Sequence, residues 1–115
     1  MTRITKEAQD KAIKTLAQPN IIIEECNYTE YLMNKDTKYY KVNDPQNPGK
    51  SLIEFSVTPA WRNISRYEMQ MDNKKYSYLV RPRAVLHTRG ANRMMDVYNM
   101  LQIRLLGQKS KRESH

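Results

Sequence analysis

The strand-like segments of this chain lie too close together along the sequence to run parallel. Between residues 21 and 88, such segments are joined by connections of only a few residues, whereas a parallel pair needs a crossover of a dozen or more residues. Helical patterns precede and follow these segments. The order predicts an α+β fold: a mostly antiparallel, curled sheet of about five to seven strands, with an N-terminal helix and a long C-terminal helix on one face.

Alternating apolar and polar residues mark the clearest hairpin. Residues 66–71 and 75–80 alternate in this way on either side of a predicted turn at residues 72–74, as expected of two strands with a tight connection. A similar pattern predicts an earlier hairpin from residues 28–33 and 37–42.

Five further segments have the residue types of strands, bends or loops. The β-branched run 21–23 favours a buried strand, and the mostly apolar residues 51–57 favour another. Residues 43–50 contain two prolines and a glycine, which predict an exposed loop. Residues 58–61 predict a short helical turn or a bend. Residues 81–88 predict an extended segment with an edge position or a break at its proline.

Apolar residues recur at helical spacing near both ends of the chain. Residues 4–17 form an amphipathic pattern that Thr5 can cap and Pro19 ends. Residues 91–106 form the strongest helical pattern, and Gly107 predicts its C-terminal stop.

These patterns predict one domain over residues 1–107 and a flexible basic tail over residues 108–115. One core is expected, because two separate cores would each be too small in a chain of 115 residues. The residues expected to be buried in it are Ile13, Leu16, Ile22, Phe55, Tyr67, Met69, Val97, Leu101 and Leu105.

Positive charge is concentrated in the second half of the chain. Residues 1–60 carry eight Lys/Arg and eight Asp/Glu and are neutral, whereas residues 61–115 carry twelve Lys/Arg, four Asp/Glu and thus the whole formal net charge of +8. Eight of the nine arginines occur from Arg62 onward. The planar guanidinium fork suits phosphate and carboxylate groups, so an anionic partner is indicated.

The segment 81–93 carries the densest part of this charge. If its first half is extended, alternate side chains share a face, which brings Arg81, Arg83, His87 and Arg89 together. The helix that follows offers a backbone N-terminus that favours an anion. The predicted nucleic-acid-binding residues are Arg62, Arg66, Lys75, Arg81, Arg83, Arg89, Asn92 and Arg93.

Simpler explanations exist for parts of this set. Arg93 could pair with Asp96 or Glu68 on a solvated surface. The tyrosines near these cations follow the same alternation as the methionines, so most of them fit the core. Trp61 follows a turn signal and is the aromatic residue best suited to stack on a base.

Few residue patterns favour catalysis or metal binding. Cys26 is the only cysteine, which excludes an internal disulfide and a cysteine-based zinc site. Glu24 and Glu25 are adjacent, and neighbouring strand residues point to opposite faces, so they are poor co-ligands. Nucleophile motifs and Gly-rich phosphate loops are absent. We therefore expect no catalytic residue, no metal and no cofactor.

The composition also bears on location. No apolar run approaches the roughly 20 residues that a membrane span needs, and the first residues lack the apolar stretch of a secretory signal. These features favour the cytoplasm and no membrane partner. The abundance of Lys, Asn, Tyr and Met suits a phage or mobile-element protein, and the sequence leaves the oligomeric state open.

Three functions are compatible with these features. The first is non-catalytic binding of nucleic acid, or a similar polyanion, through the basic second half. The second is that of a small adaptor or inhibitor that docks on an acidic protein. The third is that of a small metal-independent ribonuclease or toxin, with His87 as general base and Arg81, Arg83 or Arg89 stabilising the charged transition state.

Overall fold

A computed structural model describes residues 2–28, 36–81 and 89–113 of the chain. Five strands form one open, antiparallel sheet in the order of the sequence. The predicted α+β fold, with an N-terminal helix, an antiparallel sheet and a long C-terminal helix, is confirmed. The elements are α1 (Lys6–Ala17), β1 (Ile22–Tyr28), β2 (Thr37–Asn43), β3 (Ser51–Trp61), β4 (Ile64–Met71), β5 (Lys74–Val80) and α2 (Arg89–Glu113).

The first helix begins and ends where its sequence predicts. The Thr5 side chain accepts a hydrogen bond from the Ala8 backbone N–H at 3.1 Å, which satisfies one of the free N–H groups of the first turn. Gln18 is extended and ends the helix, because the residue before a proline disfavours helical angles. Ala8, Ala12 and Leu16 are buried on one side of α1.

Strand β1 is longer than the isoleucine run that predicted it, and it pairs with β2 along its whole length. Of the strand predicted at residues 28–33, all but the first residue lies outside the described residues. Ile21 and Ile23 are buried, whereas Ile22 is 51% exposed. The prediction that Ile22 belongs to the core is therefore wrong, because successive strand residues point to opposite faces.

The segment before Trp61 is the clearest error in the predicted elements. Residues 58–61 form neither a helical turn nor a bend but continue β3 to Trp61, paired with β4. The register of this pairing shifts between Pro59 and Trp61, and such an irregularity tolerates a proline, which cannot donate to the ladder. The hairpin predicted at residues 72–74 is confirmed, with Lys74 already in β5.

Both helices pack on one face of the sheet, and their apolar side chains form one core with it. Tyr98 of α2 lies over this face, with its ring centroid 5.4 Å from that of Tyr67 and 5.8 Å from that of Phe55. The side chains that are less than 2% exposed include Leu16, Tyr40, Val42, Ile53, Phe55, Met69, Met94, Val97 and Leu101.

Helix α2 crosses the sheet from β5 to β1. At its start, a Cβ on Gly90 would lie 2.6 Å from a ring carbon of Tyr78 in β5. Near its end, the Gln108 amide accepts a bond from the Ile23 backbone N–H and donates one to the Ile23 carbonyl, both at 2.9 Å. Lys109 forms a 3.0 Å ion pair with Glu25.

These contacts correct the predicted end of the last helix. Gly107 is not a stop, since α2 continues to Glu113 and includes residues 108–113 of the predicted tail. Glycine in a helix costs roughly 1 kcal/mol relative to alanine. The bonds of Gln108 and Lys109 to β1 offset that cost.

Candidate nucleic-acid interface

The β3–β4 hairpin presents a tryptophan and an arginine at its tip. Trp61 ends β3 and is 64% exposed. The guanidinium carbon of Arg62 lies 4.8 Å from the centre of the indole ring, within the range of a cation–π contact. Arg62 and Asn63 form the turn with φ angles of 42° and 66°. The cation and the ring therefore lie together at the tip of the hairpin.

Two more predicted arginines lie close to this turn on the outer face, the sheet face opposite the helices. Arg66 of β4 is exposed and pairs with Leu79 of β5. Arg81 directly follows β5 and is exposed. Because Ser65 pairs with Val80, one more step in the register places Arg81 opposite Ile64, which starts β4 after the turn.

Lys75 is separated from these arginines. It lies at the start of β5, about 20 Å from Arg81 at 3.3 Å per strand residue, and its ammonium is 3.3 Å from a carboxylate oxygen of Glu68. The structure thus splits the predicted set, and Lys75 belongs to the opposite end of the hairpin β4–β5.

The start of α2 carries the remaining predicted residues. Arg89 is the first helical residue and is exposed, whereas Asn92 and Arg93 are half-buried. Contact with Tyr78 places this end of α2 near the end of β5 that Arg81 follows. Arg83 and the rest of residues 82–88 lie outside the described residues.

The simpler pairing of Arg93 is not observed among the described residues. Asp96 accepts a 2.9 Å hydrogen bond from the Gln9 side chain of α1. Glu68 pairs with Lys75. Both carboxylates that were candidates for Arg93 therefore have other partners.

Strand alternation also reveals residues of the outer face that were not predicted. Lys41 of β2 lies with its ammonium 5.9 Å from the ring centroid of Tyr39, which is half-buried. Both precede the basic half of the chain, so the charge distribution of the sequence does not indicate them.

The sequence did not predict the turn at Arg62 for a different reason, because an arginine is an unusual residue at positive φ.

The acidic and ionisable groups of the described ranges bear on metal binding and catalysis. These ranges contain no group of three or more His, Cys, Asp or Glu that could hold a metal ion, and His87 lies outside them. Burial raises the pKa of Tyr67, and raises that of Tyr40 to about 12, but both rings contact Tyr98 in the core. No helix of the described chain is long and apolar enough to cross a membrane.

Comparisons of this chain with protein-family models, with curated proteins and with solved structures found no match. Its function is therefore inferred from its own residues and their arrangement.

Proposed function

We propose that this protein binds single-stranded nucleic acid without catalysis, through a surface formed by Trp61, Arg62, Arg66 and Arg81, here called the hairpin surface. The observation that carries the proposal is the exposed indole of Trp61 with the Arg62 guanidinium 4.8 Å from its centre. A base that stacks on an exposed aromatic ring contributes about 1–3 kcal/mol in single-strand binders.

Folding gives no reason for this pair. Trp61 is 64% exposed, so most of its ring adds nothing to the buried core. Arg62 has a φ of 42°, a conformation that residues with a Cβ seldom adopt. An arginine at positive φ suits a contact site better than a structural role.

The rest of the hairpin surface supplies phosphate contacts. Arg66 and Arg81 are exposed on the outer face, beside the turn. Strand β4 holds Arg66 there, so this residue loses less conformational freedom on binding than a cation on a flexible segment would. Neutralisation of phosphates releases counterions, which makes binding sensitive to salt. The hairpin surface therefore combines a stacking ring with cations for the backbone.

The test uses the single tryptophan of the chain as its own probe. A titration with an oligothymidylate should quench Trp61 emission, because the base stacks on the indole. Heparin, a polyanion without bases, should bind without comparable quenching. For single strands each phosphate contact contributes about −0.7 to the slope of log K against log salt, so three arginines predict a slope of about −2.

Substitutions then separate stacking from charge. Trp61→Ala should weaken oligothymidylate binding by the stacking contribution of about 1–3 kcal/mol, as followed with a labelled oligonucleotide. Arg62→Asn removes the cation but keeps a residue that suits the turn. Lys75→Gln, at the other end of β5, is the matched charge control and should change affinity little.

Two outcomes would reject the proposal. One is oligonucleotide binding that Trp61→Ala leaves unchanged. The other is an absence of oligonucleotide binding, in which case an acidic protein becomes the better partner for the same exposed Trp and Arg, since both residue types are common in protein interfaces.

A further inference from the structure

The two helices run side by side in the same direction, but α2 is longer. The Gln9 side chain donates to Asp96 at 2.9 Å, and further along both helices Arg104 Nη2 donates to the Gln18 carbonyl at 2.8 Å. There α1 has ended, whereas α2 continues to Glu113. From Arg104 to Glu113, about 13 Å of α2, at 1.5 Å per residue, thus extends past this hydrogen bond.

A groove follows α2 beyond the end of α1. It has a volume of about 390 Å³ and lies between α2 and the segment that joins α1 to β1. Ile103, at the α2 rim, is 64% exposed. The lining is mixed: Ile21 and Ile23 are buried, Ile103 and Gly107 are exposed, and the other lining residues are Asn20, Arg104, Gln108 and Lys111.

Packing among the described residues does not require a glycine at position 107. Glycine is among the least favourable residues inside a helix, and a Cβ at this position would meet no atom within 4 Å. Its lack of a side chain instead lets another backbone approach α2 closely at the groove. A glycine at this point therefore suits an intermolecular contact.

Charge identifies the occupant. Arg104 and Lys111 line this groove, and Lys111 and Arg112 line a second groove of about 440 Å³ that adjoins it and includes Ile22. No Asp or Glu among the described residues lines either one. A second copy that docked through the same two grooves would bring like charges together, whereas an acidic segment would be attracted.

We propose that this groove docks an acidic amphipathic helix of a partner protein. The docked helix would continue along α2 from the point where α1 ends. Its apolar residues contact Ile103, its backbone passes close to Gly107, and its carboxylates face Arg104 and Arg112. Gly107 lies about 27 Å from Arg89 along the helix axis. The groove is therefore separate from the hairpin surface, and peptide docking would be a function in addition to nucleic-acid binding.

The test measures anisotropy of a labelled synthetic peptide with the full-length chain. The peptide has leucine at helical positions i, i+3, i+4 and i+7 and glutamate elsewhere, and a scrambled peptide of the same composition is its control. We expect saturable binding of the amphipathic peptide and much weaker binding of the scrambled one, because apolar residues at helical spacing form one contact face.

Variants of the groove assign the site. Gly107→Gln fills the groove without an internal clash and should abolish peptide binding while the thermal midpoint stays the same or rises. Ile103→Ser should weaken binding about tenfold or more, as expected when burial of a large aliphatic side chain is lost. Leu79→Ser is the matched control, since Leu79 is 45% exposed on the outer face, and should leave peptide binding unchanged.

Four results would overturn the proposal. The first is that the amphipathic peptide shows no saturable binding, and the second is that the scrambled peptide binds equally well. The third is that the peptide still binds to the Gly107→Gln variant. The fourth is that oligothymidylate displaces the peptide from the wild type but no longer does so from Ile103→Ser. The last would make the groove part of the nucleic-acid surface. A fifth result concerns the oligomeric state, which sedimentation of the protein without peptide measures. If the wild type is a dimer and Gly107→Gln is a monomer, a second copy of the chain occupies the groove.

Discussion

At the scale of single residues, four positive φ angles decide where two hairpins turn. Arg62 and Asn63 have φ angles of 42° and 66°, and Asp72 and Asn73 have 53° and 62°. Positive φ at both central residues defines the type I′ turn, which matches the twist of the flanking strands. Asn and Asp tolerate this conformation, but arginine does so at a cost. Of these four turn residues, Arg62 is therefore the one that fits its backbone conformation least well.

Arg62→Asn should raise the stability of the protein. The substitution relieves the left-handed conformation, so the free energy of unfolding in urea should increase by about 0.5–1 kcal/mol. The same variant should weaken oligonucleotide binding. Asn73→Asp replaces one tolerant residue with another in the second turn, leaves the ion pair between Lys11 and Asp72 in place, and should change stability little. A loss of stability in Arg62→Asn would mean that its contact with Trp61 contributes to the fold.

Tyr40 makes stability depend on alkaline pH. Its side chain is 1% exposed, and burial raises the pKa of its phenol from 10.0 to about 12. Between these two values the unfolded chain ionises and the folded chain does not, so stability is intact below pH 10 and falls as pH rises toward 12. At about pH 11 the loss should be on the order of 1 kcal/mol.

Urea unfolding at about pH 9 and pH 11 measures this effect. Tyr40→Phe is the reference, because it shares every pH-dependent contribution except that of the Tyr40 phenol. From pH 9 to pH 11 the wild type should lose more free energy of unfolding than Tyr40→Phe does. An identical pH dependence for both proteins would contradict an elevated pKa.

At the scale of elements, α2 shows how tertiary contacts extend a helix past a local stop signal. Gly107 has the residue type of a C-terminal cap, yet the helix continues to Glu113. The Gln108 side chain forms two 2.9 Å hydrogen bonds with the backbone N–H and carbonyl of Ile23 in β1. The helix end is therefore held by the sheet.

The two glycines of α2 should respond in opposite ways to alanine. Gly107→Ala meets no atom within 4 Å and should increase the free energy of unfolding by about 1 kcal/mol through helix propensity. Gly90→Ala places its Cβ 2.6 Å from Tyr78 and should decrease it, since the ring must move. Chemical denaturation checks both, and a destabilised Gly107→Ala would indicate that the helix ends near 107 in solution.

At the scale of the whole molecule, one face of the sheet carries the core and the other faces away from the two helices. The side chains of α1 and α2 join those of β1 to β5 in a single cluster. The hairpin surface lies at the outer face, and the groove lies beside α2 past the end of α1. The fold thus separates the two proposed contact sites.

Leu101→Ala should destabilise the entire domain. Leu101 is 0% exposed between α2 and the sheet, and truncation of a buried leucine costs about 2–5 kcal/mol. Ile103 lies two residues on, is 64% exposed, and its alanine variant should stay within about 0.5 kcal/mol of the wild type. A thermal midpoint that moves equally in both variants would show that the packed side of α2 is misassigned.

Local sequence determined the order and kind of the elements. Apolar spacing and the Thr5 cap define α1, and alternation on both sides of Asp72 defines the β4–β5 hairpin, because these signals act between residues close in the chain. Short connections made the sheet antiparallel for the same reason. The concentration of arginines after residue 61 also predicts an anionic partner for the second half of the chain, and this stays a prediction.

Only the tertiary structure decided how those pieces meet. Strand pairing with β4 carries β3 through Pro59 to Trp61, and contact with β1 carries α2 past Gly107. Register places Arg66 and Arg81 beside the turn and Lys75 about 20 Å away, a separation that follows from 3.3 Å per residue along β5. Such outcomes depend on partners distant in sequence, whose contacts outweigh local preferences of about 1 kcal/mol.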